Sequence, residues 1–169
     1  MVDVRAFLAS ETKVLHDTID ARAARFDLTS ERGLKDFLRF MWVGCSRVEK
    51  GLTYRGAQRL LPEWPSRCRS GLIARDLGEM DPPATQPVDF SGDAEVWGGL
   101  YVLEGSRLGG RFLARTTPLS AQSGFLTEGD TPDFWPVFLQ RLRFAASDSG
   151  RRTGMAEGAR KAFSAFLAA

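Results

Sequence analysis

The 169-residue chain carries 23 basic and 21 acidic residues, a net charge of +2, with one histidine and two cysteines. A balance so near neutral excludes a nucleic-acid binder that works by neutralising many phosphates. With 43% hydrophobic residues, the chain reads as one folded domain, 1–169, large enough to bury a full core.

Apolar residues then recur with helical periodicity. Val4, Leu8, Thr12, Leu15, Ile19 and Ala23 follow at three- and four-residue steps, predicting a first helix over about 4–25. Thr29 or Ser30 supplies an N-cap for a second helix bearing Leu34, Phe37, Leu38, Met41 and Trp42. A short third helix is expected near Tyr54 to Leu61, stopped by Pro62 and Pro65, and a fourth over about 65–77. Three prolines and no periodicity make Gly78 to Gly92 a loop.

A long helix follows from about Asp93 to Arg115, then a second loop from Pro118 to Asp130. Pro132 opens the next helix, which carries Phe134, Trp135, Phe138, Leu139 and Leu142. Pro136 falls in its first turn, where a missing N–H does little harm. The last helix is expected from about Arg152 to Leu167. No segment alternates as a strand does, so the predicted fold is all-α, a single-domain helical bundle.

Cys45 and Cys68 form neither a CxxC pair nor a zinc spacing, and Cys45 reads as core. The N-terminal segment is charged throughout, and no apolar run reaches membrane-spanning length. The expected location is the cytoplasm.

Two segments carry chemistry. His16, the lone histidine, sits at the edge of the first helix's apolar stripe, where it reaches a ligand lodged beside that helix. Asp20 lies one turn on, placed to accept the second imidazole N–H, and Lys13 points near the same rim. No second His or Cys stands close by, so the metal reading is an axial haem ligand rather than zinc, against the plainer reading of a histidine without a ligand.

The other segment is WGGLYVLEGSRLGGRFLA, Trp97 to Ala114, a helical pattern holding five glycines. Each interior glycine costs about 1 kcal/mol relative to alanine, so the five together offset a large part of a typical domain's stability. Gly98, Gly105 and Gly109 project onto one face, leaving bare backbone for either a flat ligand or a closely packed helix.

LASETKVLHDTID, from Leu8 to Asp20, resembles the proximal helix of the haem oxygenase family, and YVLEGSRLGGRFLA, from Tyr101 to Ala114, resembles its distal helix. FDL at Phe26 to Leu28 and WPVFLQRL at Trp135 to Leu142 are similar to the bacterial, biliverdin-producing branch. The resemblance implies haem sandwiched between proximal and distal helices and cleaved by O₂ and reducing equivalents to biliverdin, CO and free iron. The alternative on the same fold is a non-catalytic haem-binding or signalling protein.

By position, the resemblance makes His16 the iron ligand, with Asp20 behind it. Gly105, Ser106 and Gly109 become the catalytic distal wall, with Gly110 beside them. Lys13, Arg111 and Arg141 become candidate partners for the haem propionates, as does Arg143. An electron donor (a ferredoxin, flavodoxin or reductase) is implied, as is biliverdin supply to a phytochrome or iron acquisition. Two departures stand out: Asp20 replaces the family's commoner Glu, and Ser106 stands where mammalian-type members carry Asp.

Overall fold

The computed structural model describes residues 3–80, 84–128 and 133–168. Helix is the only regular structure among them, as the periodicity predicts. Helix α1 spans Val4–Ala23. Its N-terminus is capped by Asp3, whose carboxylate accepts from the Arg5 and Ala6 amides at 2.9 and 3.3 Å. Helix α2 spans Glu31–Tyr54 and is capped by Ser30, which accepts from the Gly33 amide at 3.1 Å.

Helix α2 runs unbroken to Tyr54 because Cys45, Val48 and Leu52 prolong its buried face. The separate helix expected near Tyr54 to Leu61 therefore shrinks to one turn, α3, Ala57–Leu60. The helix expected over 65–77 divides into α4, Trp64–Arg67, and α5, Ser70–Leu77, with Cys68 extended between them. Gly78 ends α5 at φ 68°, a left-handed conformation that glycine adopts without strain.

Helix α6 spans Asp93–Ala114. The loop expected after it contains a 3₁₀ turn at Ser120–Gln122 and the single-turn α7, Gly124–Thr127. Helices α8, Phe134–Ala145, and α9, Ser149–Leu167, complete the chain. The expected helix start at Pro132 lies outside the described residues.

The tightest crossing is between α6 and α9. A Cβ at Gly98 would overlap the Met155 carbonyl oxygen and stand 2.6 Å from the Ala159 nitrogen. A Cβ at Gly158 would likewise overlap the Glu95 carbonyl. Glycines on both helices thus bring the two backbones into contact, and Phe138, Leu100 and Met155 fill the surrounding core.

Helix α1 lies against α9. Arg22 donates to the Leu167 carbonyl at 2.8 Å, Glu11 pairs with Arg160, and the His16 ring meets Phe163 edge-on, centroids 5.7 Å apart. Beside this contact α1 faces α6 across an open cleft, which Phe163 and Phe166 of α9 also line. No helix among the described residues is long and apolar enough to cross a membrane.

Candidate functional site

The cleft between α1 and α6 is a cavity of about 990 Å³, at the upper end of the range of small-molecule sites. Helix α1 contributes Ala9, Lys13, His16 and Asp20, all on the face the helical repeat turns towards α6. The opposite wall is Gly105, Ser106, Gly109 and Gly110 of α6. Phe37, Phe125 and Trp135 add flat apolar side chains to the lining.

The glycines of α6 serve two purposes, which the sequence pattern does not separate. Gly98 and Gly99 are packing positions: the first meets α9, and a Cβ at the second would stand 2.8 Å from the Phe90 ring. Gly98 therefore does not belong with Gly105 and Gly109 as part of a bare ligand face. A Cβ at Gly109 would meet nothing within 4 Å, and one at Gly105 only the Trp135 ring, at 3.8 Å. No described residue needs glycine at these two positions for packing, so the helix-propensity cost there is offset elsewhere. Gly110 lies 3.7 Å, measured from its would-be Cβ, from Leu126 of α7.

The second loop is fixed by one carboxylate. Asp76 of α5 accepts from the Ser123 hydroxyl at 2.7 Å and from the Gly124 and Phe125 amides at 3.0 and 2.9 Å. These bonds set Phe125 and Leu126 against the cavity wall.

His16 lies 57% exposed, open to the cleft. Its Nδ1 stands 3.1 Å from Oδ2 of Asp20, which places a carboxylate behind the imidazole where it can orient the ring. Among the described residues no group of three or more His, Cys, Asp or Glu side chains comes together to hold a bare metal ion. One imidazole facing a wall without side chains suits a metal that brings its own equatorial ligands, as a planar metallo-macrocycle does. The predominantly apolar lining suits the flat, apolar body of such a group.

Lys13 reaches the cavity rim, where Asp17 pairs with it at 2.5 Å. Arg5, two turns earlier on the same face, also lines the cavity; sequence reasoning passed over it, though its eight-residue spacing from Lys13 was the available signal. The other basic candidates stand elsewhere. Arg141 is committed to Glu63 through two hydrogen bonds of 2.8 and 3.0 Å and does not line the cavity. Its guanidinium holds the Glu63 carboxyl below its ordinary value. Arg111 and the exposed Arg143 are also absent from the cavity lining.

Behind α6 lies a buried polar cluster that the sequence does not announce. Glu104, fully buried, accepts from Arg67 at 2.6 Å and from Arg107 at 3.2 Å. Both guanidinium groups stack over the Phe134 ring. Arg69 is buried beside them. It donates to the Leu103 carbonyl at 3.2 Å and to the Ser106 hydroxyl. Glu49 accepts the Arg69 backbone N–H at 2.6 Å and the Ser70 hydroxyl at 2.5 Å.

No family model matches the sequence. A heme oxygenase of Xanthomonas campestris pv. campestris (strain 8004) is 32% identical over 112 residues, which cover 61% of this chain and 67% of that protein. The fold is similar to that of the heme oxygenase from Neisseria meningitidis, known from NO- and CO-bound crystal structures. The TM-score is 0.80 at 21% identity, over 99% of this chain and 90% of the other. That second likeness is one of fold, and it agrees with the bundle that places the cavity between α1 and α6. By its sequence relative, the chain belongs to the haem oxygenase family.

Proposed function

We propose that this protein binds haem in the α1–α6 cavity and opens the macrocycle oxidatively to biliverdin, CO and free iron. The observation that carries the reading is the pairing of one oriented imidazole, His16, with a facing backbone bare at Gly105 and Gly109. Bound haem supplies the redox chemistry, as both substrate and site of O₂ activation.

The chain's own residues have separable tasks. His16 would hold the iron through Nε2, with Asp20 keeping the imidazole in the required tautomer. Gly105, Ser106 and Gly109 let the porphyrin face approach the α6 backbone, with Gly110 supported by Leu126. Lys13 and Arg5 stand where they can receive the two propionates. Phe37, Phe125 and Trp135 exclude bulk water from the ring. An electron donor such as a ferredoxin, flavodoxin or reductase completes the reaction. Release of biliverdin to a phytochrome, or of iron for nutrition, follows from the products; a cytoplasmic location suits either.

The test is a haemin titration followed by reductant in air with catalase present. Growth of a Soret band and its replacement by biliverdin absorption is the expected result. A stable Soret band under reduction supports a haem-binding protein without turnover, and no Soret shift at all removes both readings. His16→Ala is expected to abolish the normal ferric spectrum, and an unchanged spectrum would remove His16 as ligand.

A further inference from the structure

Arg69 is a buried cation that forms no ion pair at hydrogen-bond distance with any described residue. Its guanidinium is spent on the Leu103 carbonyl, the Ser106 hydroxyl and the face of Phe125, whose ring centroid is 4.8 Å away. The Glu49 carboxylate binds its backbone amide instead. Burial disfavours the charged guanidinium, and Arg107 adds to that effect, lowering its pKa. Arginine nevertheless keeps its charge inside proteins. Glu49 and Glu104 offset part of that cost from a distance, but neither pairs with the guanidinium directly.

Two of its three contacts, Ser106 and Phe125, are themselves cavity-wall residues. A single layer of side chain therefore separates the cation from the cavity. The hydrogen bonds of Ser106 add a direction. Its hydroxyl proton goes to the Leu103 carbonyl at 2.7 Å, and one lone pair is taken by Arg69. With its proton spent, Ser106, itself a cavity-lining residue, can only accept from a cavity water through its remaining lone pair.

We infer that Arg69 is a positioning residue that makes the α6 wall selective for a small anion held in the cavity. It acts through Ser106, which accepts one proton of a water whose other proton is given to that anion. The cation supplies the attraction and Ser106 the orientation. Together they favour negatively charged over neutral ligands on the side of the cavity opposite His16. This inference rests on the haem reading above.

The ferric haem complex provides the measurement, with azide as the anionic probe and imidazole as the neutral one, each followed by its Soret shift. Arg69→Gln keeps a donor for Ser106 and removes the charge; Arg69→Lys keeps the charge. Ser106→Asp neutralises Arg69 from the cavity side without emptying the buried cluster. Azide affinity is expected to fall about tenfold in Arg69→Gln and Ser106→Asp, with imidazole affinity unchanged and azide binding largely kept in Arg69→Lys.

Unchanged azide affinity in Ser106→Asp overturns the inference, even where Arg69→Gln fails to fold. Equal losses for azide and imidazole also overturn it, because they show a purely structural role. A wild-type protein that gives no Soret shift overturns the haem reading and this inference together. A normal wild-type spectrum without anion selectivity removes this inference alone.

Discussion

His16 and Asp20 face each other across one turn of α1, with imidazole Nδ1 3.1 Å from the Asp20 carboxylate. Both belong to the same helix, so the contact is set by local geometry before any ligand arrives. A carboxylate behind a ligating imidazole raises its basicity and fixes its orientation. Asp20→Asn is expected to lower haem affinity about tenfold and to shift the iron–histidine stretch of the ferrous complex to lower frequency. Resonance Raman spectroscopy reads the shift, and a stretch at the wild-type position would leave Asp20 without this role.

Two glycines of α6 should respond in opposite ways to added bulk. Gly98→Ala forces a methyl group into the Met155 carbonyl, so it is expected to cost about 3 kcal/mol or more of folding stability, seen by urea denaturation. Gly109→Leu projects into open space and should leave the unfolding midpoint of the ligand-free protein nearly unchanged or raise it. The same Gly109→Leu change is expected to impair ring opening more than haem binding. Full biliverdin yield from that variant would count decisively against a catalytic role for Gly109.

The Arg67–Glu104–Arg107 group offers a test of buried electrostatics. Glu104→Gln removes the carboxylate and leaves two guanidinium groups, each only 2% exposed, without its charge. The expected loss is about 3–5 kcal/mol. A loss below 1 kcal/mol in chemical denaturation would mean that Phe134 and backbone acceptors suffice for both arginines.

The thiols should be inert. Burial, reinforced by Glu49, pushes both Cys45 and Cys68 up to about 12. Thiolate is the reactive form, so neither residue is expected to react with iodoacetamide at pH 8 in the native protein. Both should react in denaturant. Rapid native labelling of Cys68, the more accessible of the two, would show that α4 opens on the labelling timescale.

The helices and one side of the site are legible in the sequence because both follow from local periodicity. His16, Lys13 and Asp20 share a helix, and their relative phase is fixed by the helical repeat alone. The glycines of α6 are harder to read. Gly98 and Gly109 occupy nearby wheel positions, yet one meets α9 and the other meets space, a distinction made by what packs opposite rather than by α6 itself.

Long-range partners explain the remaining differences. Arg141 suits an anionic ligand by residue type, but Glu63, distant in sequence, binds it first. Arg69 and Glu104 lie in segments whose patterning gives no sign of buried charge. Their significance depends on the crossing of α2, α4 and α6, which no short window contains.

The Gly98–Gly158 crossing has a mechanical consequence for the cavity. Clamped to α9 over its first half and resting on Leu126 towards its far end, α6 is also tied from behind between Gly105 and Gly110, through Ser106 to Arg69 and through Arg107 to Arg67. The three glycines there therefore bare the backbone on the cavity side while the opposite side stays anchored. The gap to α1 is thus set by a backbone held in place from its far side, so its width is fixed by packing that no cavity-side substitution touches.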